Sequence, residues 1–122
     1  MPGKGFSWRY CSFNYAHLLN STTGSYSDGS GIYSQGAVTV TGSALANNSA
    51  GTDGGGIWSQ GEVTVTGSTL SNNSADSEGG GIYIFGSGGS VTVENSTLFG
   101  NSSILGGGVF IAGTGSGTFS NK

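Results

Sequence analysis

The chain has 122 residues, among them 26 glycines, one proline and one cysteine, with 7% charged residues and a net charge of −3. Three basic residues cannot build a phosphate-binding stripe, which excludes nucleic acid as a partner. The lone Cys11 forbids an internal disulfide, and no apolar run reaches the length of a signal peptide or a membrane span, so no transmembrane segment is expected.

Residues 1–28 are expected to form a degenerate first turn followed by a long loop. Laid without a gap on Val63–Leu70, the segment Phe6–Phe13 puts Phe6 on Val63, Trp8 on Val65 and Phe13 on Leu70. Cys11 then falls at the corner of Gly67, where a thiol is inert more often than catalytic. Asn14–Asp28 reads as a loop by its length and its Ser, Thr and Gly content. It holds His17, the sole histidine, too little for a Ser-His-Asp arrangement.

From residue 29 the chain repeats itself. The units are 29–53, 54–78 and 79–105, with a partial unit over 106–122. Their landmark glycines Gly31, Gly56, Gly81 and Gly108 are spaced 25, 25 and 27 residues apart. A fixed period of this size marks a coil of stacked units. Within one unit, Val63-Thr64-Val65-Thr66 alternates with period two, as a strand does, and no window offers helical spacing. About three short strands per unit, joined by glycine-rich corners, predict an all-β parallel β-helix of about four turns of about 25 residues.

Aligned units predict the inward columns: Val38, Val63 and Val91; Val40, Val65 and Val93; Leu45, Leu70 and Leu98; and Ile32, Ile57, Ile82 and Val109. Asn48, Asn73 and Asn101 form an amide column able to hydrogen-bond from turn to turn.

Outward columns carry the candidate sites. Asp28, Asp53 and Glu78 each precede a glycine run and would stack about 5 Å apart. They are solvated turn residues, a calcium column or, least of all, a catalytic carboxylate pair. No histidine pair, cysteine cluster or metal-ligand spacing accompanies them, and no other cofactor is expected. Tyr33, Trp58, Tyr83 and Phe110 form an aromatic column, either shielding the ladder or receiving sugar rings or another fibre. Thr39, Thr41, Thr64 and Thr66 give two Thr-x-Thr rows of the kind found on flat ice-binding solenoids, broken at Glu94 and at Arg9. Sequons at Asn20, Asn47, Asn72 and Asn95 are candidates for glycosylation, whereas Asn101 is expected to point inward.

Phe119 near the Val63 phase puts the two ends at about the same angle of the coil, with no capping helix. That pattern suits a head-to-tail homopolymer, and it suits equally a piece of a longer solenoid. Low charge leaves little repulsion against association.

The tetrapeptide Gly-Gly-Gly-Ile at 54–57 and 79–82 is paired with Leu45-Ala46-Asn47-Asn48, Leu70-Ser71-Asn72-Asn73 and Leu98-Phe99-Gly100-Asn101. Over residues 29–110 this resembles the polymorphic outer-membrane-protein repeat, which pairs a GGAI-type tetrapeptide with FxxN. Leucine stands here for the usual phenylalanine. The resemblance implies a right-handed parallel β-helix in secreted or surface-displayed adhesins. Together these features predict a non-enzymatic extracellular structural protein, a self-stacking filament subunit. An adhesin passenger fragment, or an ice-binding or carbohydrate-binding solenoid, are the alternatives.

Overall fold

In the computed structural model the chain climbs in successive turns of short strands joined by tight corners. Residues 6–8, 11–14, 17–19, 22–25, 28–29, 31–86 and 88–121 are described. The first turn holds β1 (Phe6–Trp8), β2 (Cys11–Asn14), β3 (His17–Leu19) and β4 (Thr22–Ser25). The second holds β5 (Ile32–Ser34), β6 (Val38–Thr41), β7 (Ala44–Ala46) and β8 (Ser49–Gly51). The third holds β9 (Ile57–Ser59), β10 (Val63–Thr66), β11 (Thr69–Ser71) and β12 (Ser74–Ala75). Above them lie β13 (Ile82–Ile84), β14 (Ser90–Glu94) and β15 (Thr97–Phe99), then β16 (Val109–Ile111) and β17 (Ser116–Ser120).

Like strands stack in parallel into four sheets. The first is β1-β5-β9-β13-β16 and the second β2-β6-β10-β14-β17. The third is β3-β7-β11-β15 and the fourth β4-β8-β12. Three turns therefore carry all four strands, rather than the four turns expected. In the fourth turn the last sheet is reduced to an isolated bridge between Ser74 and Ser102.

The expected columns are in register: Val38, Val63 and Val91; Val40, Val65 and Val93; Leu45, Leu70 and Leu98; and Ile32, Ile57, Ile82 and Val109. Alternation puts Val63 and Val65 wholly inside while Thr64 and Thr66 stay half-buried. Each fully buried aliphatic side chain contributes about 1.5–3 kcal/mol. One turn buries about four, so stability comes from stacking turns rather than from any one of them.

The first turn departs from the ungapped alignment. Phe6 pairs with Ile32, not with the valine column, and Cys11 pairs with Val38 rather than sitting at a corner. Phe13 pairs with Val40 and Leu18 with Leu45. The expected loop from Asn14 to Asp28 carries β3, which includes His17, and β4. Phe-x-Trp alternation fits any period-two strand, so it could not choose between the first and second sheets. The position of Arg9 lies outside the described residues.

The far end departs from the expected register as well. Phe119 pairs with Val93, and Gly117 takes the Val91 position. The first described strand thus lies in the first sheet and the last in the second. The phase match expected from Phe6 and Phe119 is absent.

Candidate functional site

The corner between the fourth and first sheets is built from the glycine runs. Gly54 has φ +71°, a left-handed conformation that glycine adopts without strain. At Gly56 the constraint is space: a Cβ would stand 2.5 Å from Gly81 O and 3.4 Å from the Asn73 carboxamide. Gly31 and Asn48, and Gly81 and Asn101, repeat this contact in their own turns. The two halves of the repeat motif therefore meet inside each turn.

Asn73 is fully buried and fully bonded. Its Nδ2 donates to Leu45 O at 2.9 Å and to Asn101 Oδ1 at 3.0 Å. Its Oδ1 accepts from the Asn48 backbone N–H at 3.1 Å and from Asn48 Nδ2 at 3.0 Å. Asn101, half-buried, donates to Leu70 O at 2.9 Å. The expected amide column is thus a continuous ladder that closes a corner otherwise full of unpaired peptide groups.

A second ladder escaped the sequence argument. Ser43 N–H donates to Ser68 Oγ and Ser68 N–H to Ser96 Oγ, each at 3.0 Å. Each hydroxyl then donates to the carbonyl two residues back, at Thr41, Thr66 and Glu94. The signal was present, since a serine follows Gly42, Gly67 and Asn95 in every unit. Ile84 was missed as well. It fills the interior position held by Ser34 and Ser59 below, and it is fully buried. A Cβ on Gly89 would collide with Ile84 Cγ2, which accounts for glycine in the longer connection beside it.

The aromatic column is stacked ring upon ring. Centroids lie 4.4 Å apart for Tyr33 and Trp58, 6.3 Å for Trp58 and Tyr83, and 5.8 Å for Tyr83 and Phe110. Phe85 joins Trp58 at 5.7 Å. Trp58 and Tyr83 are only 5% exposed although they stand outside the sheet. The ring faces are turned on one another, so the column covers the outer face of the first sheet and stiffens it.

Beside it stand Asp28, Asp53 and Glu78, all half-buried. Asp53 and Glu78 form a parallel bridge, and Glu78 N–H donates to Asp53 Oδ1 at 3.0 Å. Burial pushes the Asp53 carboxyl above its ordinary value; the Glu78 N–H bond opposes this, and the Asp28 and Glu78 charges add to it. Burial, with the same three carboxylates, pushes the Tyr83 phenol up to about 12. Among the described residues no group of three or more His, Cys, Asp or Glu side chains is arranged to hold a metal ion. Leu105 takes the acidic position in the next turn.

On the second sheet the threonine row is longer than expected. Thr39, Thr64, Thr92 and Thr118 are consecutive register partners. The parallel row Thr41, Thr66, Glu94 and Ser120 is interrupted by the one carboxylate. Ser12 and Asn14, not Arg9, hold the first-turn positions.

Of the sequons, Asn47, Asn72 and Asn95 are exposed, with φ of +58°, +54° and +49°. They sit at corners, where asparagine tolerates the left-handed conformation better than most residues. Asn20 lies outside the described residues. No helix among the described residues is long and apolar enough to cross a membrane.

No curated protein and no solved structure matches the chain. The family described as a right-handed β-helix region matches residues 5–122, nearly the whole length, and the chain belongs to that family.

Proposed function

We propose that the chain is a non-enzymatic structural β-helix of an extracellular or cell-surface protein, of the kind that forms an adhesin passenger. One observation carries this: side chains that recur from turn to turn bond to their own copies. The amides of Asn48, Asn73 and Asn101, the hydroxyls of Ser68 and Ser96, and the faces of Trp58 and Tyr83 are spent on axial cohesion. What repeats is a rod, and a rod's work is reach and stiffness. The Gly56–Asn73 contact supports the resemblance to the polymorphic outer-membrane-protein repeat, because it gives the paired motifs a shared physical role. Exposed Asn47, Asn72 and Asn95 suit glycosylation in a secretory route.

Protease shaving of intact cells that carry the protein tests the location. Release of peptides from residues 31–121 is expected, and protection until lysis overturns it. Turnover of a polysaccharide panel that is lost in the Asp53→Asn, Glu78→Gln double variant overturns the non-enzymatic assignment.

Self-stacking into a filament is the second reading. It is favoured by the low share of charged residues, 7%, which leaves little repulsion against association. Electron microscopy of the purified chain at neutral pH decides it: filaments support stacking, and monodisperse particles reject it.

A further inference from the structure

One ring of the aromatic cluster stands apart from the column. In the third turn three residues, 60–62, lead from Ser59 to Val63; in the fourth, six residues, 85–90, lead from Ile84 to Val91. Where the two turns below place Gln35 and Gln60, the longer connection opens with Phe85. Insertions in a coil of repeats often gather on the face it uses for binding. Phe85 is 47% exposed, and the chain continues above it, since Ala112 N–H donates to Ile84 O. Its exposure therefore belongs to the wall of the coil, not to an end.

The ring is held in place. Phe85 N–H donates to Ser59 O at 2.8 Å, and the ring lies 5.7 Å from Trp58 at an interplanar angle of 19°. Trp58 is itself 5% exposed and stacked on Tyr33 at 4.4 Å. Phe85 thus has a packed aromatic backing and an open outer side. Gly86 and Gly88, which follow with φ of +102° and +77°, add no side chain to wall that side. No atom stands within 4 Å of the Cβ that either lacks.

Polar groups run along the same corner. The exposed Gln60 is directly below Phe85 in the first-sheet register, and the exposed Gln35 is below Gln60. At strand spacing the three residues span about 10 Å. Glu62, also exposed, accepts from Ser90 Oγ at 3.4 Å beside the second sheet. An open ring next to amides and a carboxylate suits a sugar. A pyranose with equatorial hydroxyls has C–H groups on its face and hydroxyls at its edge. A hydrocarbon ligand would desolvate the amides without pairing them. An anionic one would meet Glu62 and a chain of net charge −3.

We propose that Phe85, Gln60 and Gln35 form a binding site for a neutral oligosaccharide of β-linked pyranoses with equatorial hydroxyls. One sugar ring packs on Phe85, and the next lies along the two glutamines. This deepens the reading of the chain as an adhesin-type rod by naming what the rod holds. Binding is measured on the purified chain, so its failure is separate from a failure of the surface location, which protease shaving tests.

The probes are the hexamers of β-1,4-linked glucose and of β-1,4-linked N-acetylglucosamine, added to the full chain while its backbone amide resonances are followed by NMR. Shifts are expected at Gln35, Gln60, Phe85 and Gly86 with at least one hexamer, and none at residues 69–71 of the third sheet. Phe85→Ala is expected to weaken binding about tenfold, Gln60→Ala about threefold, and Phe85→Tyr less than about twofold. Phe99→Ala removes a ring that is 54% exposed on the third sheet, and it should leave binding unchanged. The Phe85→Tyr and Gln60→Ala variants keep the test open should Phe85→Ala fold poorly. Absence of shifts with both hexamers, or equal binding by Phe85→Ala, overturns the site. Equal shifts with a hexamer of galacturonic acid overturn the neutral class of ligand.

Discussion

Gly56 faces the Asn73 carboxamide across a single turn, and the Gly81 carbonyl above it leaves no room for a methyl group. A Cβ on Gly56 meets Gly81 O at 2.5 Å and the Asn73 carboxamide at 3.4 Å. The carbonyl belongs to the turn above and is fixed by the Gly81 and Ile82 backbone bonds, so relief requires shifting a turn. Gly56→Ala is expected to cost about 3 kcal/mol or more. Gly67 is the control. Its φ is +56° and open space surrounds it, so Gly67→Ala is expected to cost about 1 kcal/mol of backbone strain. Gly67→Asn should lie within about 0.5 kcal/mol of the parent, since Asn95 already holds the equivalent corner. Urea unfolding followed by circular dichroism ranks the three variants.

Truncating the ladder leaves buried partners behind. Asn73→Ala removes donors to Leu45 O and Asn101 Oδ1 and the acceptor for both Asn48 nitrogens. Several groups then lose partners where water does not reach, and a loss of about 3 kcal/mol or more is expected. Asn101→Ala, at a half-buried position, should cost about 1–2 kcal/mol. Equal losses at both positions would mean that burial does not set the value of the ladder.

Much of this architecture was legible because a solenoid writes its register into the sequence. Once Val38, Val63 and Val91 are aligned, the other valine column and the leucine, isoleucine and asparagine columns follow, since one period fixes all of them. The first turn was not legible. Phe6, Trp8 and Phe13 replace the aliphatic landmarks, and no Gly-Gly-Gly-Ile precedes them, so only alternation was left to align on. Alternation is blind to which sheet a strand joins. Ile84 escaped for a related reason. Serine fills that position in the two turns below, and serine in a strand gives no sign of facing inward. The faces of the aromatic column were not legible either, because spacing predicts a column but not which surface of each ring is spent within it.

Alkaline stability tests the aromatic column. Tyr83 titrates near 12 in the folded chain against an ordinary value of 10.0, because burial and then the Asp53, Glu78 and Asp28 carboxylates disfavour the phenolate. A group with a raised folded pKa contributes stability that is whole below the unfolded value and lost as pH rises through the folded one. Stability is therefore expected to fall between about pH 10 and 12, and Tyr83→Phe should flatten that fall. Tyrosinate absorbance gives an independent check, with an ionisation near pH 12 that is lost in Tyr83→Phe. A single ionisation step near pH 10 in the intact fold would contradict the burial of this ring.

Asp53 gives the matching test in acid. Its carboxyl is raised above 3.8 chiefly by burial, with the Glu78 N–H bond opposing and the neighbouring carboxylates adding. A raised folded value means that the protonated form is the one the fold favours. The contribution is complete below the ordinary carboxylate value and lost as pH climbs through the folded one. Asp53→Asn keeps an oxygen for the Glu78 N–H and removes the charge. The variant should thus match the parent near pH 3 and exceed it at pH 7, by less than about 1 kcal/mol because the site is partly solvated. Thermal unfolding of both proteins at the two pH values measures the difference directly, and the contributions of other titrating groups cancel in it. A variant less stable than the parent at pH 7 would mean that Asp53 is held by a favourable partner rather than crowded by like charge.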